Sequence, residues 1–228
     1  MRFRAVIFDM DGTLADTAAD LVGNINRALG ERGLGPVPAE RIMELQGSPM
    51  ETMIALGIRP GESPENGGGS SGTGEAGPGL LKELAARTRE LYAEVKPVSR
   101  PYPGISELLD ELKQKKLKLA VLSNKPHEVT LIETEHLFPR RPFDVLSGIR
   151  EGFPFKPDPQ AVWDILLELD VSPRETILAG DSATDIKTAL ASGCYALGVR
   201  WGYWDVSFLE AAGARRIIGE PRELLELV

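Results

Sequence analysis

Asp9 and Asp11 stand two residues apart directly behind the apolar run Ala5-Val6-Ile7-Phe8, with Gly12 and Thr13 next in line. A run of small and β-branched apolar residues reads as a buried strand, and side chains at i and i+2 of a strand share a face. Both acids can therefore reach one site. Gly12 permits a tight turn there, and Thr13 brings a hydroxyl and a backbone N–H close by. Two further polar clusters have the same placement: Ser123-Asn124-Lys125 follows Leu119–Leu122, and Gly180-Asp181 follows Ile177–Ala179. In open α/β sheets ligands bind outside the carboxyl ends of the strands, so clusters far apart in the chain are expected to converge there. Lys156, in Lys156-Pro157-Asp158-Pro159, occupies a loop of the same region and can join them.

Acids without a neighbouring base, a cation and a hydroxyl match what Mg2+-assisted phosphoryl transfer requires. A carboxylate can attack phosphorus and form an acyl phosphate, dividing one hard hydrolysis into two easier steps. Asp9 is the expected nucleophile because it lies at the strand end itself. Asp11 suits the general acid and then the general base, a role that favours a raised pKa, which a neighbouring carboxylate can supply. Mg2+ takes oxygen ligands, and Asp9, Asp181 and the backbone carbonyl of Asp11 can provide them, with Asp185 holding a metal-bound water. Lys156 would neutralise the phosphate and the nucleophile, while Ser123, Thr13, Asn124 and backbone N–H groups bind phosphoryl oxygens. Each residue also has a plainer reading. Aspartates after strands are common turn residues and helix caps, and Asp185 could face solvent in the first turn of a helix. Lys125 is open between contacting substrate and standing solvated. His127 and His136 have no nucleophile partner at a recognisable spacing, so surface or packing roles are expected, and core packing for Trp201 and Trp204.

The chain of 228 residues carries 34 acidic against 26 basic residues, a net charge of −8. No basic stretch offers an electrostatic footprint for nucleic acid, and a phosphate site must be made positive locally. Cys194 is the only cysteine, so an intrachain disulfide is excluded and a buried inert thiol is expected. The apolar run after Arg2 and Arg4 is too short for a signal peptide, and no apolar stretch has transmembrane length. A cytoplasmic protein acting on a small phosphorylated metabolite, away from membranes, is the simplest expectation. No heptad seam or spare apolar stripe indicates an oligomeric state.

The elements that must position these residues fall into two grammars. Leu21, Ile25 and Leu29 recur at helical spacing, predicting a helix from about Asp16 to Arg32. Helices follow near Ala39–Leu45 and Pro49–Leu56, separated at Gln46-Gly47-Ser48, and another spans Leu80–Val95. From Tyr102-Pro103-Gly104 onward helix and strand alternate: helix 105–115, strand Leu117–Leu122, strand Asp144–Ile149, helix Pro159–Leu169, strand Thr176–Ala179, helix Ala183–Ser192 and strand Tyr195–Val199. A last strand and helix lie near Arg216–Gly219 and Pro221–Leu227. Repeated βα units imply an α/β fold with a mostly parallel sheet covered on both faces, into which residues 16–95 are inserted as a helical unit. The tract 66–79 is too glycine-rich for a packed element and is expected as a loop. Its formal G-x-G-x-x-G at Gly72, Gly74 and Gly77 lacks the preceding strand that a dinucleotide site needs.

With those residues in place, the chain resembles the haloacid dehalogenase superfamily, and within it the phosphoglycolate phosphatase-like group. Phe8-Asp9-Met10-Asp11-Gly12-Thr13-Leu14-Ala15-Asp16-Thr17 is similar to the family's first motif and Leu122-Ser123-Asn124-Lys125 to the second. Lys156-Pro157-Asp158-Pro159 resembles the third, and Gly180-Asp181-Ser182-Ala183-Thr184-Asp185 the fourth. Tyr102-Pro103-Gly104 and Trp201-Gly202-Tyr203 resemble phosphoglycolate phosphatases. The resemblance implies a Rossmann-like core over 1–15 and 96–228, with a helical cap over 16–95 that closes on substrate. It also implies that the loop at Gly47 faces the active site. A glycine-rich tract inside the cap departs from the family pattern. The second aspartate disfavours dehalogenation, and the absence of lysine from residues 16–81 disfavours Schiff-base chemistry. A phosphatase for a small ester such as 2-phosphoglycolate is the expectation. A β-phosphoglucomutase-like phosphotransferase or a pyrophosphatase is the alternative enzyme, and an inactive phosphate-binding protein the alternative outside enzymes.

Overall fold

The computed structural model describes residues 3–48, 50–58, 77–140 and 142–228. Residues 66–76 of the glycine-rich tract, with Gly72 and Gly74, lie outside them. The chain forms two compact units, Met1–Thr17 with Ser99–Val228, and Ala18–Val98. In chain order the elements are β1 (Ala5–Phe8), β2 (Ala15–Asp16), α1 (Ala18–Gly30), α2 (Ala39–Glu44), α3 (Met50–Ile58) and α4 (Pro78–Glu94). Then come β3 (Arg100–Pro101), α5 (Ile105–Gln114), β4 (Lys118–Pro126), α6 (His127–Leu137), β5 (Val145–Ile149) and α7 (Gln160–Leu169). β6 (Thr176–Gly180), α8 (Ala183–Ser192), β7 (Tyr195–Val199), α9 (Val206–Ala212) and β8 (Arg216–Ile218) complete the series.

Six strands form one parallel sheet in the order β5-β4-β1-β6-β7-β8, the α/β architecture expected from the repeated βα units. β1 is central and fully buried because helices cover both faces. Alternate residues serve alternate cores. Val6, Phe8, Leu119, Val121, Ile177 and Ala179 pack with Leu108, Leu109 and Leu112 of α5. Ala5, Ile7, Ala120, Leu122 and Leu178 pack with Val162 and Ile165 of α7 and with Ile186 and Ala189 of α8. Cys194 is buried in the second core, the inert position expected of it. The register sets Phe8 level with Val121 on one side and Ala179 on the other, so the next residues of all three strands emerge together.

Differences from the sequence reading concentrate near that edge. β4 does not end at Leu122 but runs through Ser123-Asn124-Lys125 to Pro126, with a register shift against β5 over that stretch. Helices α6 and α9 were not expected, nor was the two-residue antiparallel pair β2–β3, which ties the outgoing chain to the returning one. Ser172 and Glu175 form a capping box on a single 3-10 turn before β6. The last segment, Pro221–Leu227, is 3-10 rather than α-helical.

The second unit is helical in the described residues. Ile25 and Leu29 of α1 and Leu84, Thr88 and Leu91 of α4 are buried, and Arg87 bonds Glu31, Glu90 and Glu94. Gly47 lies in the turn between α2 and α3 at φ +87°, a conformation glycine adopts without strain. No helix among the described residues is long and apolar enough to cross a membrane.

Candidate active site

Asp9 follows the last residue of β1, and its N–H extends the ladder by donating to the Ala179 carbonyl at 2.9 Å. Met10 N donates to Asp9 Oδ1 at 2.7 Å, and Lys156 Nζ lies 2.8 Å from the same oxygen. Among the described residues no hydrogen bond engages Oδ2, which leaves it the available lone-pair donor. Asp11 is not on the strand. It sits in the tight turn Met10–Ala15, where the N–H groups of Thr13, Leu14 and Ala15 all converge on the Met10 carbonyl. The turn, rather than strand alternation, sets the spacing of the two acids.

Lys156 is buried, and each of its three ammonium protons has an acceptor. Leu122 O lies at 3.1 Å, Asp9 Oδ1 at 2.8 Å and Asp185 Oδ1 at 2.7 Å. The loop carrying Lys156 includes a cis Lys156–Pro157 bond. It is held by the Asn124 amide, whose Oδ1 accepts from Lys156 N at 2.9 Å and whose Nδ2 donates to Lys156 O at 3.2 Å. Asn124 thus brackets the lysine's backbone.

Asp181 and Asp185 complete the cluster. Asp185 is 0% exposed at the start of α8, where its Oδ2 accepts from Ser182 N and Oγ, so the solvent-facing alternative does not hold. Thr13 Oγ1 donates to Asp181 Oδ1 at 3.3 Å, and Tyr203 N donates to Asp181 Oδ2 at 2.8 Å. Glycines make room for this carboxylate. A Cβ on Gly12 would stand 2.3 Å from Asp181 Oδ2, and one on Gly202 would stand 2.3 Å from its Cβ. Carboxylate oxygens of Asp9, Asp181 and Asp185 lie within 4.8 Å of one another, all from buried residues.

The second polar group gathers around Asp11. Its Oδ1 accepts from Thr17 Oγ1 and from Lys125 Nζ, the latter at 2.7 Å, while Ser123 Oγ is 3.5 Å from Oδ2. Lys125 is buried and bonds Glu133 as well, so it is neither solvated nor open. Sequence reasoning missed Thr17, Glu133 and Tyr203 as parts of the site. Thr17 and Tyr203 left a trace, in the first-motif string and in Trp201-Gly202-Tyr203, whereas Glu133 left none. Trp201 packs partly buried on the core while its indole N–H donates to the Thr13 carbonyl at 3.0 Å, and Trp204 stacks edge-on with Phe208.

The electrostatics separate the two acids in the opposite sense to the one expected. Burial first, then the Asp185 carboxylate, holds Asp9 well above the usual carboxylate range against the pull of Lys156. Burial and Asp185 push Asp181 up to about 7. For Asp11, burial acts upward too, but the Lys125 ammonium and the bonds from Lys125 and Thr17 outweigh it and hold the carboxyl below its ordinary value. The raised pKa expected for Asp11 is therefore corrected. The Lys125 cation, rather than the Asp9 carboxylate, sets the direction of its shift. Lys156 stays firmly charged, because Asp185 and Asp9 outweigh its burial.

A model of the haloacid dehalogenase-like hydrolase family matches residues 6–199. The chain belongs to the haloacid dehalogenase-like hydrolases. It is 35% identical over 207 residues to a phosphoglycolate phosphatase of Agrobacterium fabrum, covering 90% of this chain and 83% of the relative. It is 31% identical over 229 residues to an N-acetylmuramic acid 6-phosphate phosphatase of Pseudomonas aeruginosa, covering 100% and 96%. The solved structure of a phosphoglycolate phosphatase candidate from Lactobacillus delbrueckii subsp. bulgaricus superposes with a TM-score of 0.82 at 33% identity, over 99% of this chain and 98% of that one. Within the haloacid dehalogenase-like hydrolases this chain is an enzyme, a phosphatase.

Proposed function

We propose that this phosphatase is Mg2+-dependent, works through an aspartyl-phosphate on Asp9, and hydrolyses a small monoester, with 2-phosphoglycolate the favoured substrate. One observation carries the reading. Asp9 Oδ1 is anchored by Lys156 and Met10 N while Oδ2 is left open beside two further carboxylates. Oδ2 attacks phosphorus as the P–O bond to the alcohol breaks, and Asp11 gives the departing alkoxide its proton. In the second step a water attacks the same phosphorus, its proton returns to Asp11, and Asp9 leaves as carboxylate with inorganic phosphate. Asp11 is held ionised by Lys125 in the free enzyme. A dianionic ester arriving beside it adds negative charge and lifts it toward protonation, so its acid form develops in the complex. Lys156 keeps the nucleophile oriented and offsets its charge, and Ser123 and Thr13 contribute hydroxyls at the site's edge. The helical unit is assigned the cap role, with Gly47 on its substrate loop, by family resemblance.

Three buried carboxylates outnumber the one lysine they face, so a second cation is needed for all three to ionise, and their oxygens form the hard donor set that Mg2+ prefers. Asp9, Asp181 and Asp185 would hold it, joined by the Asp11 carbonyl. When bound, Mg2+ supplies positive charge to the phosphoryl oxygens and offsets the carboxylates. Protons compete for the same atoms. With a folded value of about 7 against an ordinary 3.8, Asp181 costs the metal-free fold stability as pH rises through that window. The gain in Tm on adding Mg2+ is accordingly expected to grow between about pH 5 and about pH 8. A gain independent of pH would contradict the assignment of these ligands.

The substrate is tested by a panel of phosphate esters assayed with and without Mg2+. The highest kcat/KM is expected for 2-phosphoglycolate. N-acetylmuramic acid 6-phosphate is the second reading, favoured by a relative matched along the whole chain. Equal rates on unrelated sugar phosphates would sink both. Glucose 6-phosphate formed from glucose 1-phosphate would favour a mutase, and cleavage of pyrophosphate above all esters a pyrophosphatase. The reading places the enzyme in the cytoplasm, consistent with its single buried thiol.

A further inference from the structure

One buried carboxylate beside this site takes no part in the chemistry above. Glu133 is 1% exposed on α6, whose inward face otherwise carries Val129, Thr130, Thr134 and Leu137. A helix face packed against a sheet is ordinarily apolar, and a buried carboxylate persists there only when paired and hydrogen-bonded. Glu133 Oε2 accepts from the Lys125 ammonium, and that ammonium donates to Asp11 Oδ1 at 2.7 Å. The Lys125 and Glu133 side chains are 6% and 1% exposed, so solvent screens the pair little. The lysine's backbone is fixed from the same side: Lys125 N donates to Ser123 Oγ at 3.1 Å.

A lysine stem is long and flexible, and one carboxylate does not define where its ammonium stands. A second carboxylate, from an element other than the one bearing Asp11, does. We infer that Glu133 is a positioning residue for proton transfer: it pins the Lys125 ammonium on Asp11 Oδ1, so that Oδ2 is the Asp11 oxygen that exchanges a proton with the leaving alcohol. Lys125 is thereby committed to Asp11 rather than to the substrate. The inference rests on the reading of Asp11 as the acid.

Leaving-group dependence separates this role from a merely structural one. An alkoxide needs a proton as it departs, whereas p-nitrophenolate does not, and kcat/KM reports formation of the phosphoenzyme. Glu133→Gln is expected to lower kcat/KM about 10- to 100-fold for 2-phosphoglycolate. For p-nitrophenyl phosphate the loss should stay below about threefold, since no general acid is needed. Equal losses on both esters would overturn the inference. Asp11→Asn serves as control and should show the same contrast. If it does not, the acid assignment falls and takes the inference with it; contrast in Asp11→Asn beside equal losses in Glu133→Gln sinks the inference alone. Should Glu133→Gln fail to fold, Lys125→Met with Glu133→Leu exchanges the buried Lys125–Glu133 pair for apolar groups, leaving Asp11 in place without its cation. It must show the same contrast, and equal losses there overturn the inference too.

Discussion

Replacing Asp9 by Asn is expected to remove turnover, with kcat falling by at least about 10^4-fold while the protein remains folded. An amide of the same shape keeps the acceptor for Met10 N–H but cannot attack phosphorus. Stability should not suffer. Burial and Asp185 disfavour the ionised carboxylate in the metal-free fold, so a neutral side chain relieves repulsion there. Thermal unfolding in EDTA should therefore give a Tm no lower than that of the parent, and the variant should still bind 2-phosphoglycolate in equilibrium dialysis. Wild-type turnover would remove Asp9 from the chemistry. A collapsed Tm would mean that Asp9 serves the fold instead.

Lys156→Met has the second large effect, and it strikes rate and stability together. The ammonium satisfies three acceptors, two of them carboxylates, in a side chain only 5% exposed. Removing one partner of a buried ion pair leaves charge uncompensated and costs roughly 3–5 kcal/mol. The sign of the pH dependence follows from the carboxylates left behind. Protonation relieves their repulsion, so the loss should be largest above the Asp181 value of about 7 and should shrink as pH falls. Denaturant unfolding across that range is the check. A loss of kcat/KM of about 10^3-fold or more is expected alongside it, because the nucleophile loses its orienting cation. Lys156→Arg should rescue little, since a planar fork does not reproduce three convergent bonds from one nitrogen.

Much of this was legible because the sheet is built from short apolar runs that end abruptly in polar residues. Ala5–Phe8, Leu119–Leu122 and Ile177–Ala179 announce central strands, and in a parallel sheet their ends must share an edge. What stayed hidden lies where the site overrides the local pattern. β4 continues through Ser123-Asn124-Lys125 because those polar side chains are consumed by Asp11, Lys156 and Glu133, partners supplied by distant segments. Helix α6 escaped notice for a related reason: Thr130, Glu133 and Thr134 occupy its buried face and break the apolar period. α9 buries only Leu209 and leaves Phe208 exposed, which gives too little periodicity to read. The pairing of Asp11 with Lys125 depends on a contact across 114 positions, so nothing local could show that a cation, rather than Asp9, controls its charge.

Borohydride reduction of enzyme quenched during turnover, followed by peptide mass spectrometry, tests the nucleophile most directly. Borohydride converts an aspartyl-phosphate to homoserine and leaves free aspartate untouched. The expected product is homoserine at position 9 alone, formed only when the phosphate ester is present. Homoserine at Asp11, Asp181 or Asp185, or at no aspartate while a burst of alcohol release precedes phosphate release, would contradict covalent catalysis by Asp9.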